Sequence, residues 1–173
     1  MARDGTLPDA LTQLRTEHSY LSSLLGELER EPNPGRARGL FRTLYEELRA
    51  HSSAEQTVFY AALAANDAAT DLVRRALAAH EHIDELASEL VAASPSQPAW
   101  RETLRALRRA VAEYADEEER ELFTIARREI GGDALQAMGA QLINAAAEWR
   151  EAECAGRHAI PPSEPFAATA RHG

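Results

Sequence analysis

The sequence has no lysine: all 19 basic residues are arginine, which reads as genome composition rather than function. Against 28 acidic residues they leave a net charge of -9. That balance argues against nucleic acid as a partner, because phosphate binding wants the opposite sign. Cysteine is nearly absent. Cys154 alone excludes an intrachain disulfide and makes a reducing cytoplasm the expected location. No apolar run approaches the length that spans a bilayer, and no basic-then-apolar leader opens the chain, so no membrane is expected. Strand-like alternation is missing too. What remains, 45% hydrophobic and 27% charged residues over 173 positions, fits one soluble domain with a sizeable core.

Breakers divide the chain into helical segments. The first spans about Leu7 to Arg30, with Pro8 suited to an early turn and a stripe of Leu11, Leu14, His18, Leu21, Leu25 and Leu28. Pro32-Asn33-Pro34-Gly35 ends it. The second, Arg36 to about Ala65, carries Leu40, Leu44, Leu48, His51, Glu55, Val58 and Ala62, and Asn66-Asp67 punctuates it. A third, about Ala68 to Ala93, aligns Val73, Leu77, His80, Asp84, Ala87 and Val91; Ser94-Pro95-Ser96-Gln97-Pro98 follows as a loop. The fourth, about Ala99 to Ile130, aligns Trp100, Leu104, Leu107, Val111, Tyr114, Glu118, Leu122 and Ile125 before Gly131-Gly132. A shorter fifth segment covers Asp133 to about Arg150 and either caps the bundle or meets a partner chain. The expectation is all-α: an up-down-up-down four-helix bundle with a short fifth C-terminal helix over residues 1–150, and an irregular tail over 151–173.

Each long stripe is interrupted near its middle by a residue able to bind a cation: His18, His51, His80 and Tyr114. At about 1.5 Å per residue these four fall near one layer. Glu55 lies four after His51 and Glu118 four after Tyr114, so each carboxylate shares the inward face. An unpaired buried carboxylate is costly or neutralises itself, so the seam calls for a counter-charge, and a metal is the natural one. Four ring donors and two carboxylates exceed what tetrahedral zinc uses. They suit a pair of ions bridged by the carboxylates, iron first and manganese second. Asp84, four after His80, is a further ligand or an acceptor for an imidazole N–H.

These residues carry a resemblance. His18, the His51-x-x-x-Glu55 pair, His80 ahead of Ile83-Asp84, and the acidic run before Leu122-Phe123 look like the haemerythrin-like (HHE cation-binding) family over about residues 7–130. The resemblance implies a four-helix bundle around a non-haem diiron centre, oxo- or hydroxo-bridged, with an open position for a small molecule. The matching ligands are His18, His51, Glu55, His80 and Glu118. Where the family usually has further histidines this chain has Tyr114 and Asp84, so simple reversible oxygen carriage is not expected. A ferritin-like alternative wants Glu-x-x-His, and none of the 6 histidines has a Glu three residues before it.

A phenolate with two carboxylates favours ferric over ferrous iron. The expectation is therefore a diiron protein that reacts with a small oxidant (hydrogen peroxide, oxygen or nitric oxide), with peroxide disproportionation foremost. Two alternatives stand beside it. One is a non-catalytic module that binds or senses oxygen, nitric oxide or iron. The other is an oxygen-activating diiron oxidase or oxygenase, which needs a pocket beside the metals large enough for an organic substrate. Monomer and homodimer are both open. Glu117, Glu119 and Glu121 read as a solvated face, and His82 as a surface residue.

Overall fold

A computed structural model describes residues 7–64 and 66–156, and its helices begin where the sequence offers caps. Asp9 accepts from the Thr12 amide at 2.9 Å and starts α1, Ala10–Arg30. Asn33 accepts from the Arg36 amide at 3.0 Å ahead of α2, Pro34–Ala54, which runs through a π-turn, Glu55–Phe59, into α3, Tyr60–Leu63. Asn66 caps α4, Asp67–Ala92, through the Ala68 amide at 2.9 Å. Then α5, Pro98–Glu117, passes through a second π-turn, Glu118–Leu122, into α6, Phe123–Glu129. Last comes α7, Gly132–Cys154.

Two prolines expected in breakers, Pro34 and Pro98, are instead the first residues of helices. The first turn has no intrahelical partner for that N–H, so its absence there costs nothing. Pro8, expected inside the first turn, lies ahead of the Asp9 cap. At the other helix ends, guanidinium groups from neighbours satisfy open carbonyls. Arg38 donates to Val91 at 3.2 Å and Ala93 at 2.7 Å, at the end of α4. Arg101 donates to Leu28 at 3.1 Å, at the end of α1.

The architecture is the expected four-helix bundle: α1, the α2–α3 rod, α4 and the α5–α6 rod, with α1 packed on α2 and α5, and α4 on α5. No strand occurs among the described residues. The fifth helix is not short. At 23 residues α7 is longer than α1 at 21, and it lies along α1 and α2 rather than over an end of the bundle. The boundary expected at residue 150 falls inside it, and the expected tail from residue 157 on, with His158 and His172, lies outside the described residues. None of the described helices is long and apolar enough to cross a membrane.

Both π-turns shift the core register. The Tyr60 amide bonds to the Glu55 carbonyl and the Phe123 amide to the Glu118 carbonyl, each five residues back instead of four. Beyond Glu55 the buried residues are Phe59, Tyr60 and Leu63, one position later than the expected Val58 and Ala62. Beyond Leu122 they are Phe123 and Ala126, with Ile125 only partly buried.

Candidate metal centre

Four helices bring His18, His51, Glu55, His80, Tyr114 and Glu118 into one buried layer. The Nε2 of His51 lies 3.3 Å and that of His18 3.7 Å from Glu55 Oε1, while His80 Nε2 is 3.1 Å from Glu55 Oε2. Across the layer His18 Nε2 approaches Glu118 Oε2 at 3.4 Å. Glu55 sits at the centre of the group and is fully buried. Ligating atoms of His18, His51 and Glu55 all lie within 4.8 Å of one another. Yet the Nε2 atoms of all three histidines, with Glu55 Oε1 and Glu118 Oε2, make no hydrogen bond. Native cores satisfy such atoms as a rule. Five that converge are the atoms that could hold a cation.

The outer nitrogens account for this aim. His18 Nδ1 donates to Glu119 Oε1 at 2.9 Å and His51 Nδ1 to Glu17 Oε2 at 2.8 Å. His80 Nδ1 meets Ser52 Oγ at 3.0 Å, which also accepts from Gln56 at 3.1 Å. A carboxylate on one ring nitrogen leaves the lone pair on the other, which is the tautomer a metal requires. Tyr114 donates to Glu55 Oε2 at 2.5 Å, and Tyr60 to Glu118 Oε1 at 3.0 Å, with the two hydroxyls 2.9 Å apart.

Electrostatics shows what the layer demands. Burial works against a charged His18, but the carboxylates of Glu118 and Glu55 prevail and push its pKa up to about 11. His51 is raised too, against burial, by Glu55 and Glu17. Burial likewise opposes ionisation of Glu55, yet His51, His18 and His80 hold it well below the usual carboxylate range. Glu118 goes the other way, pushed up to about 7 by burial and by the charge of Glu55. Burial and the same two carboxylates raise both phenols. The cluster thus recruits positive charge as protons on His18 and His51. A divalent cation at the open atoms would supply that charge and displace those protons.

On one side of the layer Leu21, Leu48, Ile83 and Val111 close over the imidazoles and leave a cavity of about 10 Å³. Phe59 and Phe123 meet edge to face at 5.8 Å, and Phe123 stacks on His18.

The model of the Hemerythrin HHE cation binding domain matches residues 9–126. This chain belongs to that family. A solved HHE cation binding domain-containing protein from Mycobacterium kansasii shares the fold, with a TM-score of 0.77 at 24% identity over 86% of this chain and 91% of that one. A DNA nickase from a Nostoc species is 25% identical over 120 residues, 69% of this chain. Those residues are 34% of the nickase, so the chain spans about a third of the length of that curated relative.

Within this HHE domain one expected residue stands apart. Asp84 pairs with Arg49 of α2 while bordering the cavity beside the imidazoles, and the side chain that meets His80 Nδ1 is Ser52. Four functional side chains escaped the sequence reading. Glu119, taken for part of a solvated face, holds His18 and Arg15 at once; Glu17, Ser52 and Tyr60 were not singled out. A signal existed for Tyr60, which ends the apolar and aromatic run Val58-Phe59-Tyr60 shortly after Glu55. For Glu17 and Glu119 the partners come from other helices, which spacing along one helix does not reveal.

Proposed function

We propose that this HHE domain holds two iron ions and consumes a small oxidant, hydrogen peroxide foremost. The observation that carries the reading is the set of five buried atoms, on three imidazoles and two carboxylates, that converge without a hydrogen bond. With Tyr114 as a further oxygen donor once its proton is displaced, the donor set suits a pair of octahedral-leaning ions better than tetrahedral zinc. Manganese is the second choice of metal. Iron bound there supplies Lewis acidity and reversible changes of charge.

The chain's own residues would do the rest. Glu119, Glu17 and Ser52 keep the three imidazoles aimed inward. Leu21, Leu48, Ile83 and Val111 exclude bulk water. The 10 Å³ cavity they leave is about the room one water needs, so a ligand held within it is as small as peroxide, dioxygen or nitric oxide. Disproportionation takes two peroxides to one dioxygen and two waters and needs no outside reductant. Binding or sensing of oxygen or nitric oxide without turnover fits the same cavity and is the second reading. The nickase activity named for the Nostoc relative has no support in a chain of net charge -9, whose field repels phosphate.

The test is metal content and visible spectrum of the protein purified in air, beside Tyr114→Phe, followed by oxygen release from peroxide. We expect about two irons per chain and a broad phenolate-to-iron band that the Phe variant loses. Iron without oxygen release favours the binding reading, and iron with an unchanged spectrum in Tyr114→Phe removes Tyr114 from the ligand set. No metal after iron loading would sink both readings.

A further inference from the structure

The open atoms of the layer divide unevenly between its two halves. Glu55 turns one carboxylate oxygen to each: Oε1 faces His51 Nε2 at 3.3 Å and His18 Nε2 at 3.7 Å, and Oε2 faces His80 Nε2 at 3.1 Å. Glu118 Oε2 joins the first half, 3.4 Å from His18 Nε2. All four atoms of that half, two imidazole nitrogens and two carboxylate oxygens, lack a hydrogen bond. Ligating atoms of His18, His51 and Glu55 are also close enough together, within 4.8 Å, for one ion to meet them all. In the second half His80 Nε2 is the open atom. The oxygens around it are taken, since Tyr114 donates to Glu55 Oε2 at 2.5 Å and Tyr60 to Glu118 Oε1 at 3.0 Å.

The outer contacts divide the same way. His18 and His51 each give their Nδ1 hydrogen to a carboxylate, Glu119 at 2.9 Å and Glu17 at 2.8 Å. His80 meets a neutral hydroxyl instead, Ser52 Oγ at 3.0 Å, which Gln56 also holds at 3.1 Å. A carboxylate behind an imidazole fixes its tautomer and makes the inner nitrogen a stronger donor, an effect worth about 10- to 100-fold in metal affinity. A hydroxyl can give a hydrogen as well as take one, so Ser52 fixes the tautomer of His80 less firmly. Both advantages fall on one half. A cation between His18 and His51 meets free lone pairs on backed ligands, whereas one beside His80 must first break the hydrogen bond from Tyr114 to Glu55.

We propose that the two ion positions are unequal. The one formed by His18, His51, Glu55 Oε1 and Glu118 Oε2 fills first and holds a single iron by itself. The one formed by His80, Tyr114 and Glu55 Oε2 fills second. This rests on the metal reading above and adds to it a discrete state with one iron per chain, in which Tyr114 keeps its proton and its bond to Glu55.

The experiment is an anaerobic titration of the metal-free full chain with iron(II) against a competing chelator. Samples carrying one and two equivalents are then oxidised in air and their visible spectra recorded. Expected are a first equivalent that binds about tenfold more tightly than the second, or more, and a phenolate-to-iron band that arrives with the second. His80→Ala should keep the tight equivalent and lose the other, and His51→Ala should lose the tight one; melts of both metal-free variants check that they fold. Two equivalents of equal affinity, or a second that binds more tightly than the first, overturn the inference. So does a band already at half its height after the first equivalent, or equal loss of iron from the two folded variants. The titration and the spectra use the unaltered chain, so they decide the matter even where a variant fails to fold. A full chain that binds no iron overturns the metal reading itself, before any order of filling arises.

Discussion

Glu119 takes the Nδ1 hydrogen of His18 at 2.9 Å with one carboxylate oxygen and the Arg15 side chain at 3.0 Å with the other. A residue at the edge of the bundle thereby fixes the ring whose far nitrogen points into the layer. Both partners hold its carboxyl below the ordinary range against the pull of partial burial. Glu119→Ala removes the acceptor and frees the ring to turn, so iron binding should weaken about tenfold to a hundredfold. Glu119→Gln keeps an acceptor oxygen and should lose less. Competitive titration against a chelator reads both, and unchanged affinity in Glu119→Ala would mean that packing alone orients His18.

The protons gathered by the cluster make metal binding depend on pH. His18 and Glu118 both have folded pKa values above their unfolded ones, pushed up to about 11 and about 7. A raised group stabilises fully below its unfolded pKa and loses that contribution as pH rises toward the folded value. Glu118 loses its share between its ordinary carboxylate value and about 7, and His18 loses its share from the ordinary imidazole range upward. The metal-free protein should therefore lose stability as pH climbs. A metal at these residues would displace the same protons, so its affinity should rise over that range. The gap in Tm between loaded and stripped protein should widen from about pH 6 to about pH 8. A gap that narrows would show that the displaced protons are not on these groups.

The fold was legible because its four stripes obey one period, and the spacing His51-x-x-x-Glu55 needs nothing beyond an α-helix to place both side chains inward. The slip after Glu55 was not legible. Val58 and Ala62 continue the α-helical phase as well as Phe59 and Leu63 fit the shifted one, and both columns are apolar enough to be buried. Only the reach of Tyr60 to Glu118, across 58 positions, separates them. Glu119 was hidden for a related reason. It stands in a run with Glu117 and Glu121, which pair with Arg75, and composition cannot tell which of the three faces α1. Asp84 fell on the inward stripe and borders the cavity beside the imidazoles, but Arg49 on α2 pairs with its carboxylate, which spacing along α4 does not reveal.

Tyr60→Phe tests the contact that the register slip creates. The substitution takes a donor from the buried Glu118 Oε1 and a partner from the Tyr114 hydroxyl without changing the ring. A buried carboxylate oxygen left unsatisfied costs about 1–3 kcal/mol. In a chain of this size that lowers the metal-free Tm by several degrees, about 2–4 °C for each kcal/mol. Calorimetry of stripped protein is the measurement. A Tm equal to that of the parent would mean that the hydroxyl is not bonded to the carboxylate in solution.

Two glycines should respond to alanine with opposite signs. Gly139 on α7 lies under the segment that leads into α1, and a Cβ there would sit 2.0 Å from the Pro8 carbonyl oxygen and 3.0 Å from the carbonyl carbon of Asp9. Both atoms are backbone and cannot swing aside, so α7 or the leading segment must move. Overpacking of this kind costs about 1–3 kcal/mol. Gly39 is exposed in the middle of α2 and a Cβ there would meet nothing within 4 Å. Alanine at that position should stabilise by about 0.5–1 kcal/mol, because glycine loses more backbone freedom on entering a helix. Chemical denaturation of the two variants gives both signs, and iron content should stay at the parent level in each, since neither glycine touches the layer. If Gly139→Ala proved neutral, α7 would be held against the bundle by its buried face alone, with no need of the close approach to Pro8.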